Sequence, residues 1–311
     1  MKFIEASPDI PNELIHEVND GEVVFLCGAG VSRGANLPLF QELTDKVYEK
    51  IGESFDNEPA ERIAYKRAEY DRVLRSLEKR TLLPGTDSRV REAVAEILAP
   101  PSAPDLSRHI SLLNLSRDKS GRPRLLTTNF DTLFERAARA DGVECRSHAA
   151  KSLPRPGTPG DHGILHLHGR LEDRAIGLDQ SDLILTSADF GDAYLRDGWA
   201  SQYVEDRMRV NTLVLVGYQA EDSALRLLLE TLDADRERFR DLKKIYAIEK
   251  QADGSASLWK AKGIIPLEFT DYDPIYEMLA EWAAYTKNPS QYKRQRVTTI
   301  LQRASGDAGH G

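Results

Sequence analysis

The sequence predicts an α/β protein: a doubly wound, mostly parallel sheet with helices on both faces and an inserted helical module. Three observations carry this reading. Compact apolar, β-rich runs recur along the chain, and helix-like segments of roughly ten or more residues separate them, which implies parallel pairing through crossover helices. Several of these runs stop at short glycine-rich or polar segments, as strands do where their carboxyl ends border a crevice. Between about residues 56 and 120 no convincing strand occurs, so a helical module stands between the first strand and the next.

Pro11 to Asn19 reads as a short helix, with Leu14, Ile15 and Val18 at helical spacing. Glu22 to Cys27 is a buried parallel strand ending in a glycine turn. Pro38 to Ile51 is an amphipathic helix, Leu39, Leu43, Val47 and Ile51 recurring every four residues. Pro59 to Arg80 reads as one long charged helix with an apolar stripe at Tyr70, Val73, Leu74 and Leu77. Helices at Arg89 to Leu98 and Leu106 to Leu115 complete the module. The α/β pattern resumes with a strand at Arg124 to Thr128, a helix at Thr132 to Ala140, a short strand at Val143 to Arg146 and a strand at Ile164 to His168. An extended piece at Leu183 to Thr186, a helix at Ala188 to Leu195 and a strand at Thr212 to Val216 follow. A helix is expected to begin near Asp222. Lys244 to Ile248 and Ile264 to Phe269 are the last strands. Asp273 and Pro274 suit an N-cap and first helical position, opening a helix through Tyr285. This gives a domain over residues 1–286 with the module at about 56–120, and a C-terminal helix and tail over 287–311. The chain reads as the N-terminal part of something longer.

The chain has 311 residues, 41% of them hydrophobic and 30% charged, as in ordinary globular proteins. Its net charge of −8 gives no electrostatic case for direct nucleic-acid binding. Two cysteines, Cys27 and Cys145, make neither a disulfide framework nor a zinc ribbon. No apolar run approaches a membrane span and no signal-peptide pattern opens the chain, so a cytoplasmic location is expected.

Four segments could carry chemistry. In Gly28-Ala29-Gly30-Val31-Ser32, the glycines would let the backbone approach a pyrophosphate beside a helix N-terminus, but the same turn suits a tight strand–helix connection without a ligand. The dinucleotide fingerprint is not met, since the next glycine, Gly34, comes one position late. In Thr127-Thr128-Asn129-Phe130-Asp131, the Thr128/Asp131 spacing suits a capping box. Alternatively, Asn129 places a side-chain amide at the mouth of the same pocket, to hold a ribose hydroxyl or an attacking water. In His166-Leu167-His168-Gly169, alternation puts both histidines on one face. His168, at the strand end, suits a base acting near neutral pH, with His166 a structural histidine one step deeper. No metal site is expected. Gly217 and Tyr218 end another strand and suit adenosine or ribose contact, and Asp222 is the simplest cap of the helix after them.

Taken in order, G-A-G-V-S, T-x-N-x-D and H-G after successive strands resemble the NAD-cleaving core of the sirtuin superfamily, and Leu37-Pro38-x-Phe40 echoes the segment after its glycine turn. The resemblance spans about residues 20–286 and implies a Rossmann-like fold with NAD as substrate. Carried over, Gly28, Ala29, Gly30 and Ser32 would line the NAD phosphates and ribose, with Phe40, Thr128, Gly217 and Tyr218 nearby. Asn129 would order the nicotinamide ribose or the water, Asp131 would sit near the carboxamide, and His168 would be the base acting through the ribose hydroxyls. The four-cysteine zinc module of protein-deacylating sirtuins is missing, and Thr128 replaces the glutamine of their T-Q-N motif. The chain looks more like the prokaryotic sirtuin-like NADases that serve as antiphage effectors. The implied activity is NAD glycohydrolysis to nicotinamide and ADP-ribose or a cyclic form. Protein deacylation, ADP-ribosyl transfer and non-catalytic NAD or ADP-ribose sensing are the alternatives. The resemblance further implies a homo-oligomer, or a sensor domain or partner defence protein.

Overall fold

The computed structural model describes residues 1–55, 58–219, 242–252 and 254–307, with side chains to residue 298. Its elements are α1 (Asn12–Asn19), β1 (Val23–Cys27), α2 (Ala29–Ser32), α3 (Phe40–Ile51), α4 (Pro59–Lys66), α5 (Tyr70–Thr81), α6 (Arg89–Ile97), α7 (Ser107–Leu115), β2 (Arg124–Thr127), α8 (Leu133–Ala140), β3 (Ser147–Ala149), β4 (Gly163–His166), α9 (Ser187–Phe190), α10 (Trp199–Val210), β5 (Thr212–Val216), β6 (Ile245–Lys250), α11 (Ser255–Ala261), β7 (Ile265–Phe269), α12 (Tyr272–Lys287) and α13 (Pro289–Asp307). The strands form a seven-stranded sheet in the order β3-β4-β2-β1-β5-β6-β7. Every pairing is parallel, which makes the fold an α/β sheet of the Rossmann-like kind. The chain winds from β1 to one side, then returns to place β5 on the other. The switch point lies at β1, where a crevice opens at the strands' carboxyl ends.

Strand alternation builds two cores. Val23, Phe25 and Cys27, with Val214 and Val216, face α1, α7, α8 and α12, where Trp282 and Phe134 are fully buried. Val24 and Leu26, with Leu213 and Leu215, face α10 and α11 and meet Tyr203, Met208 and Trp259. A third cluster joins α3, α5 and α6 through Leu43, Val47, Leu74, Leu77 and Val94, and receives Phe130 and Leu185 from the sheet side. Helix α7 packs with the first core, whereas α3 packs with the helices that follow it.

Several sequence expectations are corrected. Pro59 to Arg80 is two helices, because Ala68 takes a left-handed conformation (φ 55°) and reverses the chain without glycine or proline. The short edge strand lies at Ser147–Ala149, not at Val143 to Arg146. Val143 instead closes α8: its N–H donates to Ala138 O (2.8 Å) just past the left-handed Gly142, a helix-terminating turn with an apolar residue behind it. Leu183 to Thr186 is buried but pairs with no strand among the described residues. Ala188 to Leu195 divides into α9 and a π-helical turn, Gly191–Arg196. Helix α12 starts at Tyr272, with the Asp271 carboxylate accepting from Tyr272 N–H (2.8 Å), so Asp273 does not cap it. Helix α10 has no counterpart in the sequence reading. The helix expected near Asp222 lies outside the described residues.

Helix α10 explains a cost that its sequence hides. Its buried stripe includes Arg207, whose guanidinium meets both Asp161 oxygens (2.7 and 2.5 Å), Tyr203 Oη (2.7 Å) and Asn211 Oδ1 (3.1 Å). This cluster ties the loop before β4 to helix α10. Removing one partner strands a buried charge, so Asp161→Ala is expected to cost about 3–5 kcal/mol in urea unfolding. A loss below about 1 kcal/mol would contradict that placement.

Candidate functional site

Register brings three strand ends to one level. Cys27 lies opposite both Thr127 and Val216, so the chain leaves the sheet together at Gly28, Thr128 and Gly217. Hydrogen bonds extend the ladder one step past the strands: Gly28 N–H donates to Val216 O (2.9 Å), Thr128 N–H to Cys27 O (3.1 Å) and Leu167 N–H to Thr127 O (2.8 Å). The polar residues after each apolar strand are thereby forced to a common edge.

The glycines there answer a demand for space. Gly217 has φ 78°, and a Cβ on it would lie 2.8 Å from Val31 N; a Cβ on Gly30 would lie 2.9 Å from Gly217 Cα. The two turns interlock backbone to backbone, with Gly30 N–H donating to Gly217 O (3.0 Å). At Gly28 the space of a side chain is filled by the Tyr218 ring, whose hydroxyl shares a hydrogen bond with Thr128 Oγ1 (2.7 Å).

Ser32 joins the first two motifs. Its hydroxyl donates to Asp131 Oδ2 (2.8 Å), accepts from Asn129 Nδ2 (3.1 Å) and lies 3.3 Å from His109 Nε2. Asn129 Nδ2 also donates to Gly28 O (3.2 Å). A carbonyl can only accept, so these contacts fix which end of the amide is nitrogen and leave Oδ1 as the acceptor without a partner among the described residues. Asp131 spends its other oxygen on Leu133 N–H (3.1 Å) at the start of α8. Burial raises its carboxyl pKa against the opposing effect of these hydrogen bonds. Both its oxygens are therefore committed within the protein. Thr128 does not cap the helix; its hydroxyl goes to Tyr218 instead.

The two histidines diverge, which corrects the single-face expectation. Strand β4 ends at His166, whose Nδ1 donates to Asn129 O (2.9 Å) and Nε2 to Glu135 Oε1 on α8 (2.8 Å). Burial alone would lower the His166 pKa, but the Glu135 carboxylate raises it above the ordinary value. His166 thus anchors the backbone of Asn129. His168 turns to the other face, edge-on to Phe190 and Tyr194, with Nε2 2.7 Å from Tyr194 Oη. Burial pushes its pKa down to about 3, so it is neutral at neutral pH and not tuned near it. Gly169 after it is required by space: with φ 90°, a Cβ would lie 2.0 Å from Asp182 O.

Above this edge lies a cleft of about 690 Å³, within the range of sites that hold whole small ligands. Ala29, Gly30, Ser32, Phe40, Thr128, Asn129, Asp131, His168, Gly217 and Tyr218 all line it. Gly28 does not, being covered by the Tyr218 ring. Sequence reasoning missed His109, Arg108, Tyr194 and Tyr276. Arg108 stacks on Tyr276 (3.8 Å to the ring centroid), and Tyr276 Oη donates to Gly30 O (2.9 Å). These side chains reach the site from helices remote in sequence and carry no local signal. Among the described residues, no group of three or more His, Cys, Asp or Glu is placed to hold a metal ion.

Gly217→Ala is expected to cost about 1–3 kcal/mol in urea unfolding, since the residue must hold a left-handed conformation against the Val31 backbone; an unchanged midpoint would contradict the interlock. A pH dependence follows from His109 and His168. Burial lowers the folded-state pKa of both, to about 4 and about 3, so the unfolded chain takes up protons first as pH falls below the ordinary histidine value. Stability is expected to fall from about pH 6.5 toward pH 4, by up to about 1.4 kcal/mol per pH unit for each site. The raised His166 acts above this window, and the raised Asp131 opposes the trend only in the carboxylate range. A urea midpoint that does not fall between pH 7 and pH 5 would contradict the burial of the two rings.

Comparison with known proteins gives three findings. Residues 123–267 match the family described as a SIR2-like domain, a span that holds the Asn129, His168 and Gly217 segments and leaves out the glycine turn at Gly28. The uncharacterized protein y4cA of Sinorhizobium fredii is 41% identical over 313 residues, covering 97% of this chain. The chain spans only 26% of that relative's length. Solved structures of a Sir2 homolog–NAD complex (TM-score 0.39, 15% identity, 92% of this chain and 97% of that one) and of a mutant Sir2 homologue with ADP-ribose (TM-score 0.38, 14% identity, 91% and 98%) are also similar. The SIR2-like match covers β2 to β6 and the turns that carry Asn129, His168 and Gly217, which together with the Gly30 turn line the cleft.

Proposed function

We propose that the cleft binds NAD and cleaves its glycosidic bond, releasing nicotinamide and leaving ADP-ribose or a cyclic form of it. One observation carries the reading: the Asn129 amide, with both donors taken by Ser32 and Gly28, keeps Oδ1 for a ligand at a residue lining the cleft. Breaking the nicotinamide–ribose bond builds positive charge on the ribose, and the protein must hold the sugar, favour that charge and orient a water. A fixed acceptor dipole serves the last two tasks. It places partial negative charge near the developing cation and accepts a hydrogen bond from the water, whose lone pair then points at the anomeric carbon. Because the dipole is held by the sheet edge, it need not reorganise as the bond breaks. The interlocked Gly30 and Gly217 turns let backbone approach the diphosphate, and His168 supplies the second polar contact to the ribose.

The same reading takes the chain as one module of a larger protein, as supported by its spanning a quarter of its relative. Its role would be that of an antiphage effector switched on by assembly or by a sensor partner. Full-length protein incubated with NAD is expected to release nicotinamide. Asn129→Ala should lower that rate on the order of 10²-fold with the fold intact by circular dichroism. Turnover retained in Asn129→Ala would remove the proposed role of the amide. Saturable NAD binding without nicotinamide release in any assembly state would favour a sensor instead.

A further inference from the structure

The partner of His168 decides what this residue can offer a ligand. Tyr194 lies in the π-helical turn Gly191–Arg196, an irregularity often found at functional sites. That turn is pinned by Ser201 Oγ donating to Tyr194 O (2.9 Å) and by Asp197 N–H donating to Asp192 O (2.9 Å). The phenol is buried, and burial raises its pKa well above the ordinary value, so it keeps its proton. Among the described residues its hydroxyl has one partner, His168 Nε2 at 2.7 Å. A neutral imidazole has one N–H and one lone pair. If Nε2 carried the proton, the phenol O–H would be left buried with no acceptor, the costlier arrangement. If Nε2 carries the lone pair, the phenol donates to it and both groups are satisfied. The ring's N–H then sits on Nδ1, which has no partner among the described residues, on a side chain that lines the cleft.

We propose that Tyr194 is a positioning residue that fixes the tautomer of His168, with its proton on Nδ1, so that His168 meets the ligand as a hydrogen-bond donor and not as a base. This rests on the NAD-cleaving reading of the cleft and names what His168 does there. Asn129 Oδ1 is an acceptor and His168 Nδ1–H a donor, a pair that matches the vicinal hydroxyls of a ribose: one hydroxyl donates to the amide, the oxygen of the other accepts from the imidazole. The pairing selects a sugar with both hydroxyls and leaves the second lone pair of Asn129 Oδ1 for the water.

The test is read first without ligand. In full-length protein labelled with ring-¹⁵N histidine, the His168 resonances are those lost in His168→Asn. They should show Nδ1 protonated and Nε2 unprotonated in the wild type, with the balance moving toward the Nε2-protonated form in Tyr194→Phe. A wild-type His168 protonated on Nε2 overturns the assignment whether or not the phenylalanine variant folds. An unchanged Nδ1 tautomer in folded Tyr194→Phe removes Tyr194 as its cause. The ligand role is then read by calorimetry with ADP-ribose. His168→Asn, whose amide N–H falls near the Nδ1 position, should keep affinity within about threefold, while His168→Leu should lose about tenfold. Equal losses in the two variants overturn the donor role. Absence of ADP-ribose binding by the wild type would remove the NAD-cleaving reading and the ligand role with it, while the tautomer is settled by the spectrum alone.

Discussion

The Ser32 hydroxyl is the constraint on which the rest of the site depends. It has one proton and two lone pairs, and in this fold each is used: the proton on Asp131, the lone pairs on Asn129 and His109. Ser32 sits on the glycine turn after β1 and its partners on the turn after β2 and on helix α7, so one atom holds three parts of the chain in register. The consequence reaches the cleft through Asn129. Because Ser32 and Gly28 take both amide donors, the carbonyl end of that side chain is the one left for a ligand. His166 secures the same residue from behind through its backbone oxygen, in an ion pair with Glu135 that the sheet and α8 keep from water.

A second constraint is the parallel sheet itself. Strands β1, β2, β4 and β5 are buried on both faces, so this part of the sheet can offer a ligand only its carboxyl edge, where the chain must turn. At that edge the glycines pack against each other's backbone while the polar residues meet in the space they leave. The helical cluster of α3 to α6 closes one side through Phe130 and Leu185. Arg91 on α6 reaches the segment that supports His168, donating to Leu183 O (3.0 Å) and to Asp189 (2.7 Å). Module and cleft are therefore one packed unit, with a direct physical path from the helices to the imidazole: Ile184 N–H donates to His168 O (2.8 Å).

Much of this was legible in the sequence because it follows from short-range rules. The apolar runs at Val23–Cys27 and Thr212–Val216 announce buried strands, and the residues directly after them mark the crevice. What was not legible depends on contacts distant in sequence. Helix α10 is disguised by Arg207, a charge in a buried stripe that makes sense only beside Asp161 and Tyr203. The break at Ala68 uses no residue that signals a turn. Alternation placed His166 and His168 on one face, but the strand ends between them, and each ring follows its own partner, Glu135 or Tyr194. The acidic partner of Ser32 was visible as a motif residue, yet its commitment to the protein could be read only from the geometry.

The most direct test of a single NAD-cleaving cleft at the sheet's carboxyl edge is a crystal structure of the full-length protein grown with ADP-ribose. The diphosphate is expected beside the Gly30 and Gly217 turns, and the terminal ribose within hydrogen-bond distance of Asn129 Oδ1 and His168 Nδ1. ADP-ribose seated elsewhere on the protein, or a cleft that excludes it at saturating concentration, would contradict the account.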